Sequence, residues 1–73
     1  MLIDIGERVL AARLAVGMSK AELGRRIGGS GYQLIHGIET GRQMPRLATL
    51  QRIAAGLAVP LAELLPRAQE TRP

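Results

Sequence analysis

Hydrophobic side chains recur every three or four residues in four stretches of the chain, and this spacing is typical of amphipathic helices. In chain order, the stretches carry Val9, Ala12 and Val16; Leu23 and Ile27; Leu34, Ile35 and Ile38; and Leu47, Leu50, Ile53, Ala54 and Leu57. A shorter apolar run, Leu61 to Leu65, lies between Pro60 and Pro66. Because proline favours the start of a helix and cannot continue one, this run is predicted to be a further short helix.

Residues that cap helices predict where the elements begin and end. Ser19 and Glu22 have the spacing of a capping box, in which the hydroxyl accepts from a backbone N–H and the carboxylate reaches back. The run from Gly28 to Gly31 predicts a tight turn, since glycine adopts positive φ without a Cβ clash. The predicted helices run from Asp4, as N-cap with Glu7, to Gly17; from Lys20 to Ile27; from Tyr32 to Thr40, with Gly41 as cap; and from Leu47 to Ala58.

The predicted helix from Tyr32 to Thr40 has two contrasting faces. With about 100° of rotation per residue, its aliphatic side chains share one arc, which must face a core. The opposite arc carries Tyr32, Gln33, His36, Gly37 and Thr40, with Glu39 at its border. This outward face is uncharged but rich in hydrogen-bonding groups, and such groups suit the base edges of a DNA major groove. The alternative is an ordinary polar surface helix.

Composition and charge narrow the choice of partner. The chain has 73 residues and no Cys, so it forms one small domain that aliphatic packing must stabilise. Its one aromatic residue, Tyr32, offers little stacking surface for single-stranded nucleic acid or RNA. The net charge of +4 favours a polyanionic partner. Between residues 20 and 46 the charged residues are Lys20, Arg25, Arg26, Arg42 and Arg46 against Glu22 and Glu39.

Membrane proteins and enzymes receive little support from the sequence. No apolar run approaches the roughly 18 residues of a membrane span, and the N-terminal stretch with Asp4 does not resemble a signal peptide. We therefore expect a cytoplasmic protein with no membrane partner. With one His and with Asp4 and Glu7 explained as a helix cap, no catalytic residue, metal site or cofactor is predicted.

These motifs occur together in one known arrangement. The residues that carry it are Ile5-Gly6-Glu7-Arg8, Arg13, Gly17-Met18-Ser19, Lys20-Ala21-Glu22-Leu23, Ile27-Gly28, Ile35, Ile38-Glu39, Gly41, Pro45, Leu50, Ala54, Leu57, Val59 and Glu63-Leu64-Leu65. Over about Ile5 to Leu65 the chain resembles the helix-turn-helix proteins of the Cro/phage-repressor (XRE) family. The resemblance implies a compact, all-α, five-helix lambda-repressor-like domain over residues 1–66. The polar residues 67–73 are predicted to form a short disordered tail.

The resemblance also implies how the domain works. Tyr32 to Glu39 would be the recognition helix, and Arg13 would pair with Glu39, whose half-buried carboxylate needs a cation. Gln33 falls at a typical base-reading position, while Lys20 and Arg42 are expected to contact phosphates. The full set expected at DNA is Lys20, Ser30, Gly31, Tyr32, Gln33, His36, Thr40, Arg42 and Gln43.

The chain departs from the family pattern at three places that contain glycine. The turn at Gly28-Gly29 is one residue longer than usual, so the start of the recognition helix and the role of Ser30 as its N-cap are open. Gly24 replaces the usual Ala, which is compatible with a close crossing of two helices. Gly37 removes a side chain where a base contact is expected, so specificity would rest on few residues.

A homodimer is expected, because one such helix reads too few bases to be selective. Residues 57–65 carry more aliphatic side chains than one short helix can bury, and Val59, Leu61 and Leu65 are the predicted dimer interface, with Leu57 and Leu64 in the core. The alternative is that all five belong to the core. The predicted function is a sequence-specific, double-stranded DNA-binding regulator, a repressor acting on an inverted repeat. The alternative function is an antitoxin-type interaction module that binds its own operator and a protein partner such as a toxin.

Overall fold

The computed structural model describes residues 4–28 and 31–65, with the side chain of Asp4 left out. The described residues form four α-helices and one 3₁₀ helix, with no strand among them. The α-helices are α1 (Asp4–Ala15), α2 (Lys20–Ile27), α3 (Gly31–Glu39) and α4 (Leu47–Leu57), and the 3₁₀ helix is Leu61–Leu64. The predicted all-α fold is confirmed at the level of these residues.

The expectation of five α-helices is wrong, because the fifth element is a single 3₁₀ turn. Pro60 and Leu65, which flank it, both have extended backbone, with ψ of 144° at each residue. Only four residues remain between them, too few for a stable α-helix. Its hydrogen bonds accordingly span three residues: Glu63 N donates to Pro60 O at 2.9 Å, and Leu65 N donates to Ala62 O at 3.3 Å.

A residue with positive φ follows each of the four α-helices, and the one after α3 is Gly41, with φ of 81°. Gly17 follows α1 with φ of 72°, Gly28 follows α2 with φ of 87°, and Ala58 follows α4 with φ of 59°. At the start of α2, the Glu22 N–H donates to Ser19 Oγ at 3.0 Å, as predicted. The Glu22 carboxylate does not complete the capping box, because it accepts from Arg25 and Arg26. The predicted cap by Asp4 lies outside the described side chains.

The core is aliphatic and draws on every helix. Its buried members are Val9, Leu23, Ile27, Ile35, Ile38, Leu50, Ile53, Ala54, Leu57 and Leu64. Leu57 and Leu64 therefore face the core as predicted. Two predicted core positions are exposed instead. Val16 is 46% exposed because α1 ends at Ala15, and Leu47 is 57% exposed at the first residue of α4.

Two glycines allow α2 and α3 to cross closely, and these two helices share the most extensive contact in the fold. A Cβ added to Gly31 would lie 2.2 Å from the backbone oxygen of Gly24, far inside van der Waals contact. A Cβ on Gly24 would lie 2.5 Å from the backbone nitrogen of Tyr32. Neither neighbour is a side chain that can move away, so the crossing requires glycine on both helices. The crossing fixes the angle at which α3 is presented.

Candidate DNA-binding surface

Helix α3 separates apolar and polar side chains onto opposite faces, as its sequence predicts. Ile35 is fully buried and Ile38 is 1% exposed. On the other side, Tyr32 is 52% exposed, and Gln33 and His36 are also exposed. The outward face of α3, defined here as Tyr32, Gln33 and His36, therefore presents phenol, amide and imidazole groups to solvent.

Lys20 of α2 contacts the outward face, and two side chains of that face contact each other. Lys20 Nζ lies 2.9 Å from His36 Nδ1, and the rings of Tyr32 and His36 are stacked with centroids 6.3 Å apart and planes 8° apart. An ammonium group can only donate, so Nδ1 must be the unprotonated ring nitrogen in this contact. The predicted phosphate contact Lys20 and the predicted base-facing His36 thus lie side by side across the helix-turn-helix.

The one carboxylate of α3 is turned away from this face. Arg13 Nε donates to Glu39 Oε2 at 2.7 Å, and Arg13 Nη2 donates to Glu39 Oε1 at 3.0 Å. The two side chains are 8% and 3% exposed, and Arg13 Nη1 also donates to Met18 O at 2.9 Å. The hydrogen bond with Glu39 raises the pKa of Arg13, against the opposing effect of burial. The predicted pair is therefore present, and it ties α1 to α3 with its charges mutually compensated.

The carboxylate of α2 is also compensated. Glu22 Oε2 accepts from Arg26 Nε at 3.2 Å, and Glu22 Oε1 accepts from Arg25. These hydrogen bonds lower the pKa of Glu22, and the hydrogen bond from Arg26 has the larger effect. The pairs are exposed and contribute little to stability. Their consequence is electrostatic, because no uncompensated carboxylate of α2 or α3 opposes an approaching phosphate.

The chain leaves α3 in a tight turn that places the next loop against the helix. Arg42 N donates to Gly37 O at 2.8 Å and Gly41 N donates to Ile38 O at 3.2 Å, with Gly41 at φ of 81°. This pair of bonds is a Schellman motif with the predicted αL glycine. The Thr40 hydroxyl donates to His36 O at 2.8 Å, so its proton is used within the turn.

The turn brings the loop residues Arg42 and Gln43 beside the outward face. A shallow open concavity is lined by Tyr32, Gln33, His36, Gly37, Arg42 and Gln43. Five of these six are residues predicted to lie at DNA. The sixth, Gly37, is covered by the side chain of Gln43, a contact that sequence reasoning missed although Gly37 itself was an unusual residue in that position.

Other predicted site residues lie elsewhere. Gly31 is not part of the outward face, because it is buried in the crossing with Gly24. Ser30 lies outside the described residues. The predicted dimer residues Val59, Leu61 and Leu65 are half-buried and pack against the core, so each leaves only part of its surface to solvent.

Comparison with known proteins agrees with this geometry. A family model described as Helix-turn-helix matches residues 9–64, from within α1 to the end of the 3₁₀ helix. No curated protein and no solved structure matches the chain. Within the described ranges 4–28 and 31–65, no helix is long and apolar enough to cross a membrane. The chain belongs to the XRE-type helix-turn-helix family of DNA-binding transcription regulators.

Proposed function

We propose that the protein represses transcription by binding, as a homodimer, to an inverted-repeat operator in double-stranded DNA. The observation that carries the proposal is the outward face of α3, where uncharged hydrogen-bonding side chains are exposed while the one carboxylate of the helix is paired inward with Arg13. A major groove presents donors and acceptors that such side chains can match. A solvated helix without a partner has no need to be free of outward charge.

Anchoring and reading fall to different residues. Lys20 and Arg42 flank the outward face and would contact phosphates, which position a protein without reading sequence. Gln33 would hydrogen-bond to a base edge, with Tyr32 and His36 beside it. Because Lys20 and His36 are already in contact, His36 would help to fix the direction of the Lys20 ammonium group.

Dimerisation would use the half-buried aliphatic surface around the 3₁₀ helix. Val59, Leu61 and Leu65 lie in the segment that follows α4, and each keeps part of its side chain in solvent. A two-fold axis there would pair two outward faces and would require half-sites about 34–36 Å apart on one side of the duplex. Repression would follow where the operator overlaps the site that RNA polymerase occupies at a promoter.

Selection from a library of random duplexes tests the proposal. The expected product is an inverted repeat, with sedimentation equilibrium giving a dimer at micromolar protein. Leu65→Asp should weaken the dimer and the binding of the full repeat, whereas Ala62→Asp, an exposed neighbour in the same turn, is the matched control. Equal affinity for all duplexes would contradict the proposal. If tight binding to a co-encoded protein accompanied that result, the antitoxin-type function would replace it.

A further inference from the structure

Gly37 lies on the outward arc of α3 yet is buried, unlike its neighbours Gln33 and His36. The reason is the side chain of Gln43. A Cβ added to Gly37 would lie 2.7 Å from Gln43 Nε2 and 3.1 Å from both Cδ and Cγ. The Gln43 side chain therefore occupies the space into which a side chain at position 37 would project.

Gln43 is held in this position by its own backbone. Gln43 N donates to Gly37 O at 3.1 Å, and the same carbonyl accepts from Arg42 N at 2.8 Å. Gly41, at φ of 81°, turns the chain so that both bonds form. The start of the Gln43 side chain is thus fixed relative to α3, although Gln43 belongs to the loop by sequence.

Gln43 is an exposed residue, and it shares a concavity with a second glutamine, Gln33. Gln33 and Gln43 line the same concavity together with Tyr32, His36 and Arg42. Gln33 and Gly37 are four residues apart, so they are neighbours along one side of the helix. An amide over Gly37 would continue the row that Gln33 begins, in the direction of the C-terminus of α3.

We propose that Gln43 takes the place of the side chain missing at Gly37 and reads a base edge next to the one read by Gln33. The inference rests on the proposed function, since it adds a specificity-determining residue to the same DNA-binding surface. A glutamine amide donates and accepts at once, so adenine, which presents N6–H₂ and N7 in the major groove, is the matching base. Gly37 is then required because any Cβ would displace this amide.

The experiment compares four proteins on a selected operator and on a set of operators altered at one position at a time. The proteins are wild type, Gln43→Ala, Gly37→Ala and the double variant. Gln43→Ala should lose about tenfold to a hundredfold in affinity on the operator and lose its preference at one position in each half-site. Gly37→Ala should lose preference at that same position, because the new Cβ pushes the amide away. The double variant should bind no more weakly than Gln43→Ala alone.

Two controls use the same type of substitution. Gln33→Ala should relax a different, adjacent position, and Gln51→Ala, an exposed glutamine on α4, should leave every affinity unchanged. Melting temperatures verify the fold. Gly37→Ala should raise the melting temperature by several degrees in the Gln43→Ala background, where the helix gains alanine without a clash, and by less in wild type.

The outcomes separate this inference from the proposed function. A preference unchanged in Gln43→Ala, while Gln33→Ala relaxes its own position, would overturn the role of Gln43 alone. Additive losses in the double variant would also overturn it, since the Gly37→Ala effect would then come from the methyl group and not from the amide. A wild-type protein without sequence preference would overturn the proposed function and this inference together.

Discussion

The two faces of α3 depend on different interactions, although they belong to the same nine-residue helix. On the inward face, Ile35 and Ile38 are buried and Glu39 is 3% exposed against Arg13. On the outward face, Tyr32, Gln33 and His36 are exposed, and the contacts among them and Lys20 are made at the surface. The comparison teaches that inward substitutions should change the free energy of unfolding, whereas outward substitutions should change DNA affinity and leave stability intact.

The largest effect is expected from the Arg13–Glu39 pair. Arg13→Ala or Glu39→Ala leaves the partner charge buried alone, which should lower the free energy of unfolding by about 3–5 kcal/mol. The total free energy of unfolding of a domain of this size is roughly 4–11 kcal/mol, so either variant should melt far below wild type. Glu22→Ala, which removes an exposed carboxylate of α2, is the control and should melt close to wild type. Wild-type melting of both core variants would break the contrast between the faces.

The crossing of α2 and α3 is the next largest contribution. Gly31→Ala forces a Cβ against the Gly24 backbone, and overpacking of this kind should lower the free energy of unfolding by about 1–3 kcal/mol, although alanine favours a helix. Gly56→Ala is the matched control, because its Cβ would meet the Leu23 side chain at 3.2 Å, and that side chain can adjust. Chemical denaturation of both variants compares them. A Gly31→Ala protein as stable as wild type would show that the helices can separate without cost.

On the outward face, Gln33→Ala should weaken binding to the cognate operator by about 1–3 kcal/mol and relax one base position. Its free energy of unfolding should stay within about 0.5 kcal/mol of wild type, since Gln33 is exposed. Lys20→Ala and Arg42→Ala supply the comparison. Each should weaken binding to all duplexes equally, and each should reduce the salt dependence of the affinity by the equivalent of about one phosphate contact. Fluorescence anisotropy across salt concentrations measures both. Uniform loss in Gln33→Ala would assign Gln33 to the DNA backbone.

The smallest effect concerns pH. Because Arg26 and Arg25 lower the pKa of Glu22 in the folded protein, this carboxylate stabilises the fold above its unfolded pKa. The contribution is lost as pH falls through the lowered, folded pKa. On acidification, the melting temperature of Glu22→Gln should therefore fall less than that of wild type. The difference should be small because Glu22 is exposed. Identical pH profiles for the two proteins would show that the pairs with Arg25 and Arg26 do not form in solution.

Local features of this fold could be predicted from sequence. Helix α2 has its predicted bounds, α4 ends one residue earlier than predicted, and α3 both begins and ends one residue earlier. The agreement is close because caps and hydrophobic spacing act within a few residues of the chain. The Arg13–Glu39 pair was expected mainly from the family resemblance. Failures occur where an element ends early: α1 ends before Val16, and the run after Pro60 is too short for an α-helix.

Other features that depend on contacts between distant residues could not be predicted. The sequence indicates that Gly24 is compatible with a close helix crossing, but Gly31 looks like a loop glycine until the crossing of α2 and α3 is known. Gln43 follows α3 in sequence, and no local rule indicates that its side chain folds back over Gly37. Arg52 on α4 donates to Ile27 O at the end of α2, which likewise follows from packing alone. The spacing of residues along the sequence therefore does not indicate those parts of the site that separate elements form together.

The central claim, that the outward face of α3 reads duplex sequence, is tested most directly by one affinity ratio. Wild-type protein is titrated, at one fixed salt concentration, with its selected inverted repeat and with a scrambled duplex of the same composition. A specific reader should bind the repeat about a thousandfold or more tightly than the scrambled duplex. A ratio close to one would contradict the account, because it would leave only the charge of Lys20, Arg42 and their neighbours to explain binding.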